Sequence, residues 1–209
     1  MNKKYLAAAI LGTLALSLTA CTGTTPRATI STPPVSIIPI PAHLAHTAPD
    51  GTPIPGGKAT WLPNLPDPRQ VDRTDMADVL DAVVITNLTW DTTVDKTTAY
   101  ANQRAAIYAT AAQQRQQASY DPDLAKAQST FIAASAHQGY THVTVTGITQ
   151  EGEDSDQGDA VRRIVAYQVT TQPRDQTQPI LISGHAWITL TQDKGRFSVD
   201  TGLYRTDQQ

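Results

Sequence analysis

The sequence predicts an α+β domain in which three helices pack on a curved four-stranded antiparallel sheet, carried behind a proline-rich arm. Three observations lead there. Apolar residues recur at helical spacing between residues 72 and 138, the period drops to two from Tyr140 onward, and 11 of the 14 prolines fall between Pro26 and Pro68. Helices first and strands afterwards put the two kinds of element in separate layers.

The chain begins with Lys3 and Lys4, then an uncharged Leu/Ala-rich run that ends in Leu18-Thr19-Ala20-Cys21, the only cysteine. A charged start, an apolar run and a small-residue box are the parts of an export signal. The box resembles the bacterial lipoprotein signal, in which Leu, a small or polar residue, Ala or Gly, and Cys mark cleavage and acylation. That resemblance implies a signal peptide over residues 1–20, palmitate-class acylation of Cys21, and a domain held on the cell membrane at its extracytoplasmic side. The competing reading is an uncleaved span, but residues 5–20 supply only 16 positions, where a spanning helix needs about 20. Acylation by two or more chains, at about 0.8 kcal/mol per buried methylene, would anchor the chain stably.

Residues 21–68, the lipidated Cys and a Pro/Thr-rich tether, are expected to carry no sustained helix or interior strand. Within them Val35, Ile37, Ile38 and Ile40 are more apolar than a plain spacer requires and form a candidate docking strip. Trp61-Leu62-Pro63-Asn64-Leu65-Pro66 is expected to pack on the following domain, since Trp and two Leu side chains are costly to leave in water. The domain, residues 69–209, carries 12 basic and 17 acidic residues. A mildly acidic domain without a basic stripe argues against direct nucleic-acid binding.

In order along the domain, Asp72 or Thr74 is expected to cap a helix whose apolar face is Met76, Val79, Leu80, Val83, Val84 and Leu88. Trp90-Asp91-Thr92-Thr93 interrupts the pattern. An alanine-rich second helix spans about 97–114, and Asp121-Pro122 starts a third, with Leu124, Ala127, Phe131 and Ala134 inward and Gly139 as its stop. Val143, Val145 and Ile148 mark a first strand; Val161, Val165, Tyr167 and Val169 a second; Ile180, Ile182, Ala186, Ile188 and Leu190 a third. Asp193-Lys194-Gly195 turns the chain into a fourth strand carrying Phe197, Val199 and Leu203. The acidic loop 151–159 lacks the ligand ladder of a calcium loop and reads as a solvated connection.

An amphipathic first helix, two more, and then a long antiparallel sheet ending in a hairpin resemble the cystatin-like cone, or nuclear transport factor two-like, superfamily. Asp72-Arg73-Thr74-Asp75 together with Thr89-Trp90-Asp91-Thr92-Thr93 is similar to extracytoplasmic proteins encoded with actinobacterial conjugation and type IV secretion machinery. The resemblance implies a non-catalytic assembly module that meets envelope protein partners or a second copy of itself.

Enzymes of the same superfamily place an Asp base and a Tyr, Asp or His donor inside the cone. Candidate donors here are Tyr100, Tyr108, His137 and Tyr167, each with a simpler structural role as core aromatic or helix-end cation. Asp200 alternates outward relative to Val199, which leaves no acid inward and no catalytic residue assigned. His137, His142 and His185 lack metal-site spacing, and no metal or cofactor is expected. The feature that stands out is on the outer sheet face, where Trp187, flanked by His185 and neighboured by Ile164, is an aromatic at a position where a solvated strand carries a polar residue. Two readings follow. A cone filled by Val83, Phe131, Ile188 and Phe197 fits a contact module; a cavity lined by Tyr108 and Tyr167 around an unpaired acid fits a small-ligand carrier or isomerase-like enzyme.

Overall fold

The first helix, α1 (Met76–Leu88), forms where the periodicity places it, and buries Val79, Leu80, Val83 and Val84. Its cap is Asp75, whose carboxylate accepts from the N–H groups of Ala77 and Asp78 at 2.7 and 3.4 Å. Asp72 instead closes the preceding turn by accepting from the Thr74 N–H and hydroxyl. The computed structural model describes residues 46–150, 152 and 156–207. The export box, Cys21 and the strip from Val35 to Ile40 lie outside the described residues.

The other helices are shorter than the sequence pattern suggests. The alanine-rich stretch divides into α2 (Ala99–Ala105), a 3₁₀ turn over Ala106–Tyr108, and α3 (Ala111–Ser119). The break has a tertiary cause: Ala109 bridges Val199, the Thr110 N–H donates to the Val199 carbonyl at 2.8 Å, and Thr110 becomes a new cap. These contacts with the last strand outweigh the helix propensity of alanine. The stretch after Asp121 likewise divides, into a 3₁₀ turn at Pro122–Leu124 and a short α4 (Ser129–Ser135). Lys58 holds Asp121 and Asp123 at 2.6 and 3.1 Å, and the Tyr100 hydroxyl donates to Asp123, so the turn is stapled to the body. Leu124, expected inward, is 81% exposed as a result, whereas Phe131 and Ala134 are buried.

The strands are β1 (Tyr140–Gln150), a two-residue β2 (Asp156–Gln157), β3 (Ala160–Gln172), β4 (Ile180–Asp193) and β5 (Arg196–Thr206). All pair antiparallel in the order β1-β3-β4-β5, with β2 folded back on the start of β3. Lys194 and Gly195 both take positive φ, 50° and 78°, which is the backbone of a two-residue primed hairpin turn. Val165, Tyr167, Ala186, Ile188, Leu190 and Val199 form the inner face and share one core with α1. Phe131 does not join it. It packs on Trp90 at 5.1 Å between ring centres, in a separate small cluster with Ala134.

Val199 pairs with Leu190 but Thr201 with Thr189, so Asp200 is an extra residue that bulges from β5. The bulge reverses the alternation. Tyr204 takes the inner face opposite Ala186, and Leu203, expected beside Val199, turns outward opposite Trp187.

The second half of the proline-rich segment belongs to the folded body. Ala48, Ile54, Ala59 and Leu62 are at most 3% exposed, and Leu65 is 8% exposed. Trp61 packs against the main core, as the sequence leads one to expect. Where the sequence starts the domain at residue 69, core packing starts by residue 48. Proline denies this stretch regular structure without preventing it from covering α1 and α2.

One buried ion pair ties α2 to the connection that follows α1. Arg104 donates from Nη1 and Nη2 to the two oxygens of Asp95, both at 2.7 Å, with neither side chain exposed. The same guanidinium reaches the carbonyls of Thr60 in the arm and Thr89 after α1, at 3.1 and 3.0 Å. The Trp90-Asp91-Thr92-Thr93 segment is a second staple. Arg174 forks onto Asp91 at 3.0 and 2.5 Å, and Thr92 gives both its N–H and its hydroxyl to the Gly139 carbonyl.

Asp81 works against this stability. Its Oδ1 is buried without a hydrogen-bond partner, and burial, then Asp78 and Asp75, raise its pKa. A carboxyl whose folded pKa is raised contributes stability that is present at low pH and lost as pH rises through the folded value. Asp81→Ala is therefore expected to stabilise the domain by about 0.5–1 kcal/mol at neutral pH, with the gain shrinking below about pH 4. Calorimetric scans at both pH values check it, and a variant no more stable than the parent at neutral pH counts against this account.

Candidate functional site

The outer face of the sheet is set by strand alternation and by the Asp200 bulge. Register places Ile164 on β3 opposite Trp187 on β4, and Trp187 opposite Leu203 on β5. Three apolar side chains thus stand in one row across three strands, on the face away from α1. Leu203 is 51% exposed, and Ile164 and Trp187 are half-buried. On one side of the row lie Ala166, His185 and Arg205, and on the other Arg162, Thr189 and Thr201. His185 stacks obliquely near Trp187, 6.2 Å between ring centres, and its Nδ1 lies 3.0 Å from Asp207 Oδ1. An apolar centre with a polar rim is the arrangement that drives specific protein contact.

All three residues singled out in the sequence, Trp187, His185 and Ile164, meet on this face. Leu203 was missed because a bulge leaves no mark in the alternation of a short strand. The rim adds Arg162 and Arg205, both exposed. It is basic on a domain that is acidic overall, and that asymmetry is a recognition feature in itself.

Three of the four candidate donors, Tyr100, Tyr167 and His137, are engaged by other groups of the protein. Tyr100 is committed to Asp123, which with Lys58 holds that carboxyl down to about 2, while burial and the same hydrogen bond push the Tyr100 hydroxyl up to about 12. Tyr167 donates to the Arg205 carbonyl at 3.1 Å. Tyr108, a core aromatic as the sequence reading has it, is 1% exposed and buries its hydroxyl. His137 Nδ1 sits 2.6 Å from Asp175 Oδ2 at the end of α4, and that contact first, then Thr177, holds the Asp175 carboxyl at about 2.

Asp200 departs from the sequence reading. The bulge carries it off the outward alternation and into the wall of a cavity of about 210 Å³, together with Asn87, Asn102, Gln117 and Tyr204. Burial raises the Tyr204 pKa above the usual phenol value. The volume falls below the roughly 300–1,000 Å³ of typical small-molecule sites, so the space suits at most a small polar molecule. Comparison of the chain with protein-family models, curated proteins and solved structures finds no match.

Proposed function

We propose that this chain is a lipid-anchored envelope protein whose domain, of the cystatin-like cone type, acts without catalysis by docking a protein partner on the outer sheet face. The observation that carries the reading is the in-register row Ile164, Trp187 and Leu203 with its Arg162 and Arg205 rim. The partner it fits presents an apolar pocket for the indole inside an acidic border. Acylation at Cys21 and the arm before residue 46 would hold that face at the extracytoplasmic side of the membrane, and a conjugative transfer or secretion apparatus is the kind of assembly the sequence resemblance suggests. Tyr100 and Tyr167 support the non-catalytic part, since their hydroxyls are already spent on Asp123 and Arg205.

The test is a photo-crosslinker at Leu203 in native envelopes, compared with and without Trp187→Ala. Loss of a Trp from the centre of such a patch is expected to weaken capture by about 30-fold or more, while the fold persists. Arg162→Glu should weaken the same adduct. An unchanged crosslink pattern in both variants rejects the docking face, and crosslinking to a second copy of the chain would make it a self-interface. For the anchor, mass spectrometry showing an intact methionine start in the cytosolic fraction rejects it.

A second reading, a small-ligand carrier or isomerase-like enzyme, is favoured by Asp200 in the cavity wall beside Tyr204. A small molecule released on denaturation of purified protein, and not from Asp200→Asn, would support it.

A further inference from the structure

The sheet runs on past the helix that covers most of it. Alternation keeps Thr171 on β3, and Ile180 and Ile182 on β4, on the inner face with Val165 and Ala186, and register sets Thr171 opposite Ile180. Val169 still packs against the main core, whereas Ile180 is 57% exposed and Ile182 half-buried. Facing this end is α4, which fastens itself through Phe131 and Ala134 on Trp90 and leaves Ala133 exposed. Between the two lies a cleft of about 380 Å³, walled chiefly by carbon from Ala133, Ala134, Pro173, Ile180 and Ile182. That volume falls within the roughly 300–1,000 Å³ of small-molecule sites, which are mostly apolar with a few fixed polar groups.

The one ionisable side chain among the described residues of the wall is His137. It follows α4 directly, and its backbone is tied on both sides: its N–H donates to the Ala134 carbonyl, and its carbonyl accepts from the Arg174 N–H, both at 3.0 Å. The ring is fixed as well. Nδ1 lies 2.6 Å from Asp175 Oδ2 and 3.1 Å from Thr177 Oγ1. The Asp175 carboxyl, held at about 2 by that contact first, is ionised at neutral pH, so Nδ1 carries the proton that joins them. Nε2 is then the free ring nitrogen, with no partner among the described residues.

A free imidazole nitrogen beside an apolar cleft selects its ligand by charge. Asp175 stands against the ring and opposes a carboxylate or phosphate, and Arg174 is already forked onto Asp91 at 3.0 and 2.5 Å. No acid is among the described residues of the wall, so a cationic head group has no partner there either. A neutral hydroxyl meets neither obstacle. It donates to Nε2 when the ring is neutral and accepts from Nε2–H when the ring is protonated, and so pairs in both states.

We propose that this cleft binds a neutral, apolar molecule carrying one hydroxyl, an aromatic or medium-chain alcohol, with its carbon body between α4 and the ends of β3 and β4 and its hydroxyl on His137 Nε2. The carbon body covers the Ile180 and Ala133 side chains that the fold leaves in water. The cleft is on the inner face of the sheet, so the inference stands apart from the docking face, and it shares no wall residue with the cavity beside Asp200.

The test titrates the isotope-labelled full chain with para-ethylphenol, and with ethylbenzene and para-ethylbenzoate as controls, reading the amide shifts of Ala133, Gly139 and Ile182 and the ring nitrogens of His137. Ethylphenol is expected to bind about tenfold tighter than ethylbenzene, the worth of one hydrogen bond to a group otherwise left unpaired, and the benzoate no tighter than ethylbenzene. His137→Phe keeps a ring in the wall and should erase the difference between phenol and hydrocarbon. Ala133→Phe, at an exposed position whose change spares the fold, should fill the cleft and abolish the binding of both. Silence of the cleft residues towards every probe overturns the proposal, as does equal binding of ethylphenol and ethylbenzene or a preference for the benzoate. A phenol preference that survives His137→Phe, or phenol binding that survives Ala133→Phe, overturns it too.

Discussion

Replacing Arg104 with Met is expected to lower the unfolding free energy by about 3–5 kcal/mol, a large fraction of the roughly 5–15 kcal/mol that holds a domain of this size together. The substitution keeps the stem and removes the fork. Asp95 is then left fully buried with its charge opposed only by the Asp91 N–H at 3.1 Å, and the Thr60 and Thr89 carbonyls lose their donor. Arg104→Lys should cost nearly as much, because a point cation cannot satisfy two carboxylate oxygens and two carbonyls from one position. The double variant Arg104→Met with Asp95→Leu should recover part of the loss, since removing both charges costs less than stranding one. Urea midpoints at constant m-value measure all three, and a loss under about 1 kcal/mol in the single variant would falsify the assignment of this pair as the main tie between α2, the arm and the end of α1.

Gly184→Ala is expected to cost about 3 kcal/mol. Gly184 sits in the middle of β4 with Tyr167 laid across it, and an added Cβ would meet the Arg205 carbonyl at 2.4 Å and the Tyr167 hydroxyl at 2.6 Å. Backbone on one side and a packed ring on the other leave nothing flexible to yield. The shift needed to fit the methyl also breaks the Tyr167 bond to Arg205 and loosens β5. Adding Tyr167→Phe removes one of the two closest atoms and should restore only a fraction, because the carbonyl stays. Hydrogen exchange should show the protection loss concentrated in β4 and β5. Full rescue by Tyr167→Phe would place the conflict at the hydroxyl alone.

These two sites show what the sequence expressed and what it withheld. The layer order was legible because α1 and the strands write their burial directly into periods of 3.6 and two, and Trp187 was legible as an exception to one of them. Gly184 and Arg104 were not, because their roles arise from neighbours distant in the chain. Arg104 occupies an ordinary helical position, and only the fold shows that Asp95 and two carbonyls converge on it. Helix lengths were overestimated for a related reason. Alanine propensity cannot register that Val199 takes the N–H of Thr110. The bulge at Asp200 reversed the facing of Leu203 and Tyr204, since one inserted residue exchanges the two faces of everything beyond it.

The Thr60 carbonyl held by Arg104 has a mechanical corollary. Any pull from the N-terminal side travels along the chain into Ala48, Ile54 and Ala59 before it reaches α1, and on that route it meets first Lys58 on Asp121 and Asp123 and then the buried Arg104 guanidinium on the Thr60 carbonyl. A tug on the leading end is therefore resisted at the Lys58 ion pairs and again in the interior, and force spectroscopy should find the arm yielding together with the body as a single rupture.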